Sequence, residues 1–217
     1  MLLSAVIFDL NGTILTDEDE YSRAFNKVLA SVGVKQDGEI PHFTGIGVRE
    51  NWEKFESKYK FKTDKTLDEL TLETQKEYLK QLDTVRVRAG FEDLIDNLRG
   101  SDIKTALATS NEWWVVEEIF KKTNIENYFD VITTAEEVSY NKPDPDIFIL
   151  TAEKLGVERG ECLVFEDAVS GVTAAVRAGM RVVGVADNAD LAESLSEEAN
   201  MVVNNFLEIN PESLANL

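Results

Sequence analysis

Short apolar runs recur along the chain, and most are followed by a stretch whose apolar positions fall at helical spacing. The runs occupy residues 5–8, 103–108, 131–133, 163–165 and 182–185, with 201–203 as a sixth. The helical patterns cover residues 91–99, 112–123, 146–155 and 171–178. Alternating strand and helix predicts right-handed crossovers and a parallel sheet covered on both faces. The expected fold class is α/β, a doubly wound, Rossmann-like parallel sheet. In such sheets ligands bind beyond the carboxyl ends of the strands. The residues that follow each apolar run are therefore the candidates for chemistry.

One region breaks the alternation. Residues 15–84 carry helical patterns only, at about 20–31, 49–58 and 67–82. The last has an apolar stripe of Leu67, Leu70, Leu72, Tyr78, Leu79 and Leu82. The expected organisation is a core domain of residues 1–14 and 85–217 with an all-helical cap, residues 15–84, inserted after the first strand. The two connections, 13–17 and 84–90, should then lie side by side. The acidic run Asp17-Glu18-Asp19-Glu20 reads as a solvated helix start, favoured by the macrodipole.

A length of 217 residues suits one core domain carrying a smaller insert. Charge narrows the partners. Against 41 Asp and Glu stand 22 Lys and Arg, a net charge of −19, which disfavours nucleic acid and anionic membranes. A phosphorylated ligand would meet the same repulsion unless its site held local positive charge. Cys162 is the single cysteine, so no intrachain disulfide or thiolate zinc cluster can form, and its apolar surroundings predict a buried thiol. No stretch is apolar enough to span a bilayer. The first residues run into a strand without a basic leader, so we read no signal peptide and expect a cytoplasmic protein, monomeric or weakly dimeric.

Four strand ends carry polar residues. The first is Asp9-Leu10-Asn11-Gly12-Thr13. Asn-Gly between apolar runs is also a hairpin signal, but a helical insert follows it here, not a partner strand. The second is Thr109-Ser110-Asn111-Glu112, which fits a capping box and equally a phosphate cradle at a helix start. The third is Asn141-Lys142-Pro143-Asp144-Pro145-Asp146, where Asp144 or Asp146 can cap the following helix and Lys142 is unexplained by capping. The fourth is Glu166-Asp167, two adjacent carboxylates after a buried run. Burying them unpaired costs several kcal/mol, roughly, and a hard cation such as magnesium would offset that. A parallel sheet brings these four ends to one edge. Carboxylate, hydroxyl, ammonium and a carboxylate pair in one small volume describe a phosphoryl-transfer site.

These motifs, in this order, resemble those of the haloacid dehalogenase-like hydrolases, in the branch with a helical cap after the first strand. Phosphoglycolate phosphatases and β-phosphoglucomutases belong to it. The resemblance covers essentially the whole chain and extends to the helix Gly171-Val172-Thr173-Ala174-Ala175. It implies Asp9 as the nucleophile that forms an aspartyl-phosphate. It implies Mg²⁺ held by Asp9, Asp167 and the backbone carbonyl of Asn11, with Glu166 as a further ligand or acting through water. Thr109, Ser110 and Asn111 would meet phosphate oxygens, and Lys142 would neutralise charge between Asp9 and the phosphoryl group. The expected substrate is a small phosphorylated metabolite, a sugar phosphate or phosphoglycolate.

The family's phosphatases have Asp where this chain has Asn11. That Asp protonates the leaving oxygen and then activates water, and an amide does neither. Three readings stand: an introduced change that traps an intermediate, a natural change with reduced or different activity, or a natural change in which water or a cap residue supplies the proton. Residues 42–51 resemble the cap's specificity loop, with Gly45 and Gly47 permitting close approach to ligand and Arg49 placed to meet an anion. His42 reads as an exposed loop residue or a substrate contact. Of Trp113 and Trp114, one is expected in the core and the other at the cap cleft. The mutases carry a histidine in the first cap helix, near Tyr21 and Ser22 here, and this chain has none there. A phosphatase leads; a phosphomutase and a non-hydrolytic phosphate-binding protein are the alternatives. A dehalogenase is disfavoured, because that branch lacks the paired carboxylates.

Overall fold

The computed structural model describes residues 2–35, 38–210, 214 and 217. Four apolar residues, Ala5–Phe8, form β1, buried along its whole length. There follow β2 (Leu15–Thr16), α1 (Glu18–Ser31), α2 (Val48–Lys58), α3 (Leu67–Leu79) and β3 (Arg86–Val87). The chain continues through α4 (Phe91–Gly100), β4 (Lys104–Ala108), α5 (Trp113–Thr123), β5 (Val131–Thr133) and α6 (Asp146–Leu155). It ends with β6 (Cys162–Glu166), α7 (Val169–Arg177), β7 (Arg181–Val185), α8 (Ala189–Leu195) and β8 (Met201–Val203).

Six strands make one parallel sheet in the order β5-β4-β1-β6-β7-β8. The chain runs outward from β1 through β4 and β5, then returns to β6 on the other side. The switch point therefore lies at the carboxyl ends of β1, β4 and β6, where an open α/β sheet offers its crevice.

Strand periodicity divides the core in two. Val6 and Phe8 face one layer with Leu94 of α4 and Val115 and Ile119 of α5. Ala5 and Ile7 face the other, with Phe148 of α6 and Val172 of α7. On the first face Phe8 stacks on Phe165 at 5.1 Å and meets Phe91 edge-on at 5.5 Å. The second face is built on small residues, Ala5, Ala106, Ala108, Ala174 and Ala175, which let α7 and α6 lie close to the sheet.

Between β2 and β3 lie three helices around Phe25, Trp52, Phe55, Leu70 and Tyr78, all buried. Trp52 donates its indole N–H to Thr74 Oγ1 at 3.0 Å, satisfying the one polar atom that would make this ring costly to bury. A capping box at Thr66 and Glu69 starts α3. The two connections meet as a two-stranded antiparallel ribbon, Leu15 opposite Val87 and Thr16 opposite Arg86. Arg88, just past the ribbon, is buried and donates Nε to Thr13 O at 2.9 Å and Nη2 to Gly12 O, while Nη1 pairs with Asp187. One guanidinium thus ties the exit of the insert to the loop after β1.

Several local expectations fail for identifiable reasons. Thr109 and Glu112 do not form a capping box, because α5 is preceded by Glu112 itself and the Thr109 hydroxyl accepts from Asn111 N. Neither Asp144 nor Asp146 caps α6, whose N-cap is Pro145. The third helix of the insert stops at Leu79, three residues early, and Leu82 is buried from a turn. Helix α8 carries too few apolar positions to announce itself, and β2 and β3 are too short to show a period. No helix among the described residues is long and apolar enough to cross a membrane.

Phe8→Ala should destabilise the fold by about 3–5 kcal/mol, since it removes the ring around which Phe91, Phe165 and Phe206 pack. Chemical denaturation would show a lower midpoint at an unchanged slope.

Candidate active site

The loop after β1 begins with Asp9, whose N–H bonds to Phe165 O at 3.0 Å and so extends the ladder by one residue. This points the carboxylate past the sheet edge, where Lys142 arrives from the segment between β5 and α6. Lys142 is 3% exposed. Its ammonium donates to Asp9 Oδ1 at 2.5 Å, to Glu166 Oε1 at 2.6 Å and to Ala108 O at 3.3 Å. The residues read from three separate strand ends therefore meet on one nitrogen.

Glu166 is wholly buried, and its second oxygen accepts from Ala168 N at 2.9 Å. Gly171 makes that possible, because a Cβ there would lie 1.8 Å from Glu166 Oε1. Asp167 accepts from the Thr13 hydroxyl at 2.7 Å and lies against Gly12, where a Cβ would come within 2.1 Å of Oδ2. Gly12 also has a φ of +76°, which glycine adopts without a steric cost.

The charges do not balance. Three carboxylates share one lysine in a buried volume. Burial raises Asp9 to about 7, with Lys142 pulling the other way and Glu166 adding to the rise. Burial also holds Asp167 well above its ordinary value, with Glu166 and then Asp9 adding to it. For Lys142 burial favours the neutral amine, but Asp9 and Glu166 together outweigh it and keep the group charged. A divalent cation matches the deficit and the all-oxygen donor set. Asp9, Asp167 and the main-chain carbonyl of Asn11 can hold it; Glu166 has both oxygens engaged elsewhere. Among the described residues no group of three acidic, His or Cys side chains forms a cage that could hold a metal alone. Magnesium, which keeps several waters and takes substrate oxygens, does not require one.

Across the cleft, Thr109, Ser110 and Asn111 follow β4. Ser110 Oγ is buried without a hydrogen-bond partner among the described atoms, a hydroxyl free for an acceptor that enters the cleft. Asn111 accepts from the Tyr21 hydroxyl of α1 at 2.9 Å and donates to the side-chain oxygen of Asn11. Asn11 in turn donates to Asp17 and, at 3.2 Å, to Tyr78 of α3. Tyr78 donates to Asp17 at 2.6 Å, and Gly12 N donates to its other oxygen at 3.0 Å.

Asp17, Tyr21, Tyr78 and Arg88 are the site neighbours that sequence reasoning missed; Thr13 stood in the first motif without a role of its own. Asp17 is the largest correction. It is buried, not a solvated helix start, and burial lifts its carboxyl to about 6 against the hydrogen bonds from Tyr78 and Asn11. The available signal was its distance of eight residues from Asp9 across a tight turn, which is weak.

Several cap expectations change. Arg49 is not brought to the cleft; it is half exposed and paired with Glu53 and, at 2.8 Å, with Asp68. His42 is not an exposed loop residue: only 11% of its side chain is accessible, it lines the cleft, and it stacks on Phe25 at 5.4 Å. The Gly45 carbonyl accepts from Ser170 Oγ at 2.9 Å, so this loop closes onto the core. Neither Trp113 nor Trp114 lines the cleft; Trp113 is exposed beside Phe120 and Trp114 bonds to Glu112. Cys162 is buried as expected, its thiol pushed up to about 11 by burial. A larger, more open depression lies at the amino ends of the strands, around Ser4, Lys104 and Glu161, far from this chemistry.

Two outcomes follow from these contacts. Gly171→Ala, which in an ordinary helix stabilises by up to about 1 kcal/mol, should here destabilise by roughly 1–3 kcal/mol, because its methyl displaces the Glu166 carboxylate. Denaturant midpoints decide the sign. For pH, the folded state binds more protons than the unfolded chain between the ordinary Asp value of 3.8 and about 7 at Asp9 and about 6 at Asp17. These groups therefore make metal-free protein less stable as pH rises through that window. Unfolding in chelator should show this loss, and magnesium should reduce it; a stability that climbs steadily across the window with no response to magnesium would contradict the assignment.

Residues 6–185 match the haloacid dehalogenase-like hydrolase family. A phosphorylated carbohydrates phosphatase of Thermotoga maritima is 31% identical over 222 residues, 99% of this chain and 98% of that protein. A β-phosphoglucomutase of Bacillus subtilis is 30% identical over 194 residues, 84% of this chain and 83% of that protein. Among solved structures, a family IA hydrolase from Entamoeba histolytica superposes with a TM-score of 0.86 at 26% identity, covering 99% of this chain and 98% of the other. The chain belongs to the haloacid dehalogenase-like hydrolases.

Proposed function

We propose that this hydrolase is a magnesium-dependent phosphatase that cleaves a small phosphomonoester, of the sugar-phosphate or phosphoglycolate class, through an aspartyl-phosphate on Asp9. The observation that carries the reading is the Lys142 ammonium held between Glu166 and Asp9, the carboxylate that lines the cleft. Lys142 offsets the repulsion between the Asp9 carboxylate and a phosphate dianion, and Glu166 holds Lys142 in place. Magnesium, when bound by Asp9, Asp167 and the Asn11 carbonyl, supplies the remaining charge neutralisation. Thr109, Ser110 and Asn111 orient the phosphate oxygens from the start of α5.

In the first step an Asp9 oxygen bonds to phosphorus as the ester P–O bond breaks, and the leaving oxygen takes a proton. In the second, water attacks the same phosphorus, inorganic phosphate leaves and Asp9 is restored. Asn11 serves neither proton transfer. Its amide nitrogen donates to Asp17 and Tyr78 and its oxygen accepts from Asn111, so the side chain acts as a strut between core and cap. Water or a cap-side group must supply the proton, and turnover should be slow. The β-phosphoglucomutase likeness keeps a mutase as the second reading; it would require a bisphosphate and release no net phosphate. We place the reaction in the cytoplasm, in keeping with the unpaired, buried Cys162.

Magnesium-dependent phosphate release over a panel of phosphomonoesters tests this. Asp9→Asn should abolish release together with the phosphate adduct on residue 9 seen by single-turnover mass spectrometry. Asn11→Asp should raise release by at least about 10²-fold. Release that survives Asp9→Asn would remove the nucleophile and the proposal with it.

A further inference from the structure

The leaving oxygen needs a proton, and Asn11 has none to give. The cleft encloses about 50 Å³, and the residues lining it that can titrate are Asp9, Glu18, Tyr21 and His42. Asp9 is the nucleophile of the proposed reaction. Tyr21 is engaged: its hydroxyl donates to Asn111 Oδ1 at 2.9 Å, and burial, with Asp17 adding, holds it well above its ordinary value. Asp17 is not among the lining residues and is taken up by Tyr78, Asn11 and Gly12 N. A pair on the cap remains. His42 Nε2 lies 2.9 Å from Glu18 Oε2, at the start of α1. The imidazole ring is fixed by Phe25, at 5.4 Å and 21°, and by Tyr21, at 6.3 Å. Its other nitrogen, Nδ1, makes no hydrogen bond among the described residues. One ring, that of Tyr21, separates His42 from the Asn111–Asn11 pair. His42 is also the only histidine of the chain.

We propose that His42, held by Glu18, is the proton carrier of this site: it protonates the leaving oxygen and then takes a proton from the water that releases phosphate from Asp9. This rests on the phosphatase reading above and fills the role that Asn11 leaves open. In the first step an Asp9 oxygen bonds to phosphorus, and the ester P–O bond breaks with its electron pair going to the leaving oxygen. The imidazolium gives its Nδ1 proton to that oxygen, and the ring is left neutral. In the second step the oxygen of water bonds to phosphorus and the P–O bond to Asp9 breaks. The neutral ring takes a proton from that water, and the imidazolium is restored. No net proton stays on the enzyme, so one group serves both halves. Imidazole suits the task, since it both gives and takes a proton near neutral pH. Glu18 does for His42 what the carboxylate of a catalytic triad does for its histidine: it fixes the ring through one nitrogen and leaves the other for the substrate.

Leaving-group chemistry tests this. An alkyl ester such as glycerol phosphate needs its leaving oxygen protonated, whereas the phenolate of p-nitrophenyl phosphate leaves unaided. With magnesium present, His42→Gln should slow single-turnover formation of the Asp9 adduct from the alkyl ester by about 10²-fold. The p-nitrophenol burst should stay nearly intact, and the adduct it leaves should persist, because its hydrolysis is slowed too. Glu18→Gln should give the same pattern at a smaller size. Imidazole added to His42→Ala should restore part of the loss. In an Asn11→Asp background the cost of His42→Gln should shrink, because the new carboxylate takes over the proton. Equal losses for both esters and in both backgrounds, without imidazole rescue, would mark a structural role and overturn the inference. Turnover that His42→Gln leaves untouched would overturn it as well. An adduct on Asp9 in the parent protein upholds the phosphatase reading whatever His42 does. No adduct and no release from either ester, in the parent and in Asn11→Asp alike, would sink that reading and this role with it.

Discussion

A single buried ammonium holds the architecture of the site together. Lys142 comes from a loop, yet it bonds to the end of β1 through Asp9, to the end of β4 through Ala108 O and to the end of β6 through Glu166. These are the three neighbouring strands at the switch point of the sheet. Removing the lysine would leave Glu166 buried with one hydrogen bond and no counter-charge, a change of the kind that costs about 3–5 kcal/mol. The same contact sets the direction of Asp9 Oδ1, so in the proposed reaction stability and catalysis draw on one interaction. The carboxylates exceed it in number, which leaves the site poised to accept a cation.

A second layer of polar contacts connects that centre to the cap. Tyr21 and Tyr78 come from the first and third cap helices and stack on each other at 3.9 Å. Their hydroxyls reach Asn111 and Asp17, and both chains of bonds end on Asn11. Asn11 is thus wired as an amide, donor on one side and acceptor on the other. A carboxylate there would face Asp17 with like charge and could not donate to it unless a proton were shared. Arg88 adds a mechanical link from the other side, gripping Gly12 O and Thr13 O from the end of the β2–β3 ribbon. Any shift of the cap would be felt at the loop that carries Asp9.

The core was legible in the sequence because parallel strands buried on both faces must be apolar, so Ala5–Phe8 and Leu163–Phe165 stand out. The four polar strand ends were legible because nothing structural explains a lysine or a carboxylate pair there. What escaped was set by tertiary contact. Asp17 sits in an acidic run that includes the exposed Asp19, and only the fold shows that it turns inward to Gly12 N. Arg49 has the right chemistry for an anion, but its place on α2 gives it Asp68 and Glu53 instead. Thr109 and Glu112 have capping-box spacing, yet the hydroxyl is taken by Asn111, two residues on. Spacing fixes which residues are near in sequence; it does not fix which partner wins when several are within reach.

The overall charge gives the last constraint. A chain of net charge −19 that handles phosphate must bring its compensation to the reacting phosphorus and nowhere else. The structure places a lysine beneath Asp9 and a hydroxyl-bearing turn at the start of α5, and the proposed magnesium would add the rest. The cap side of the cleft adds Glu18, whose Oε2 lies 2.9 Å from His42 Nε2, so that wall presents a carboxylate–imidazole pair and not a bare anion.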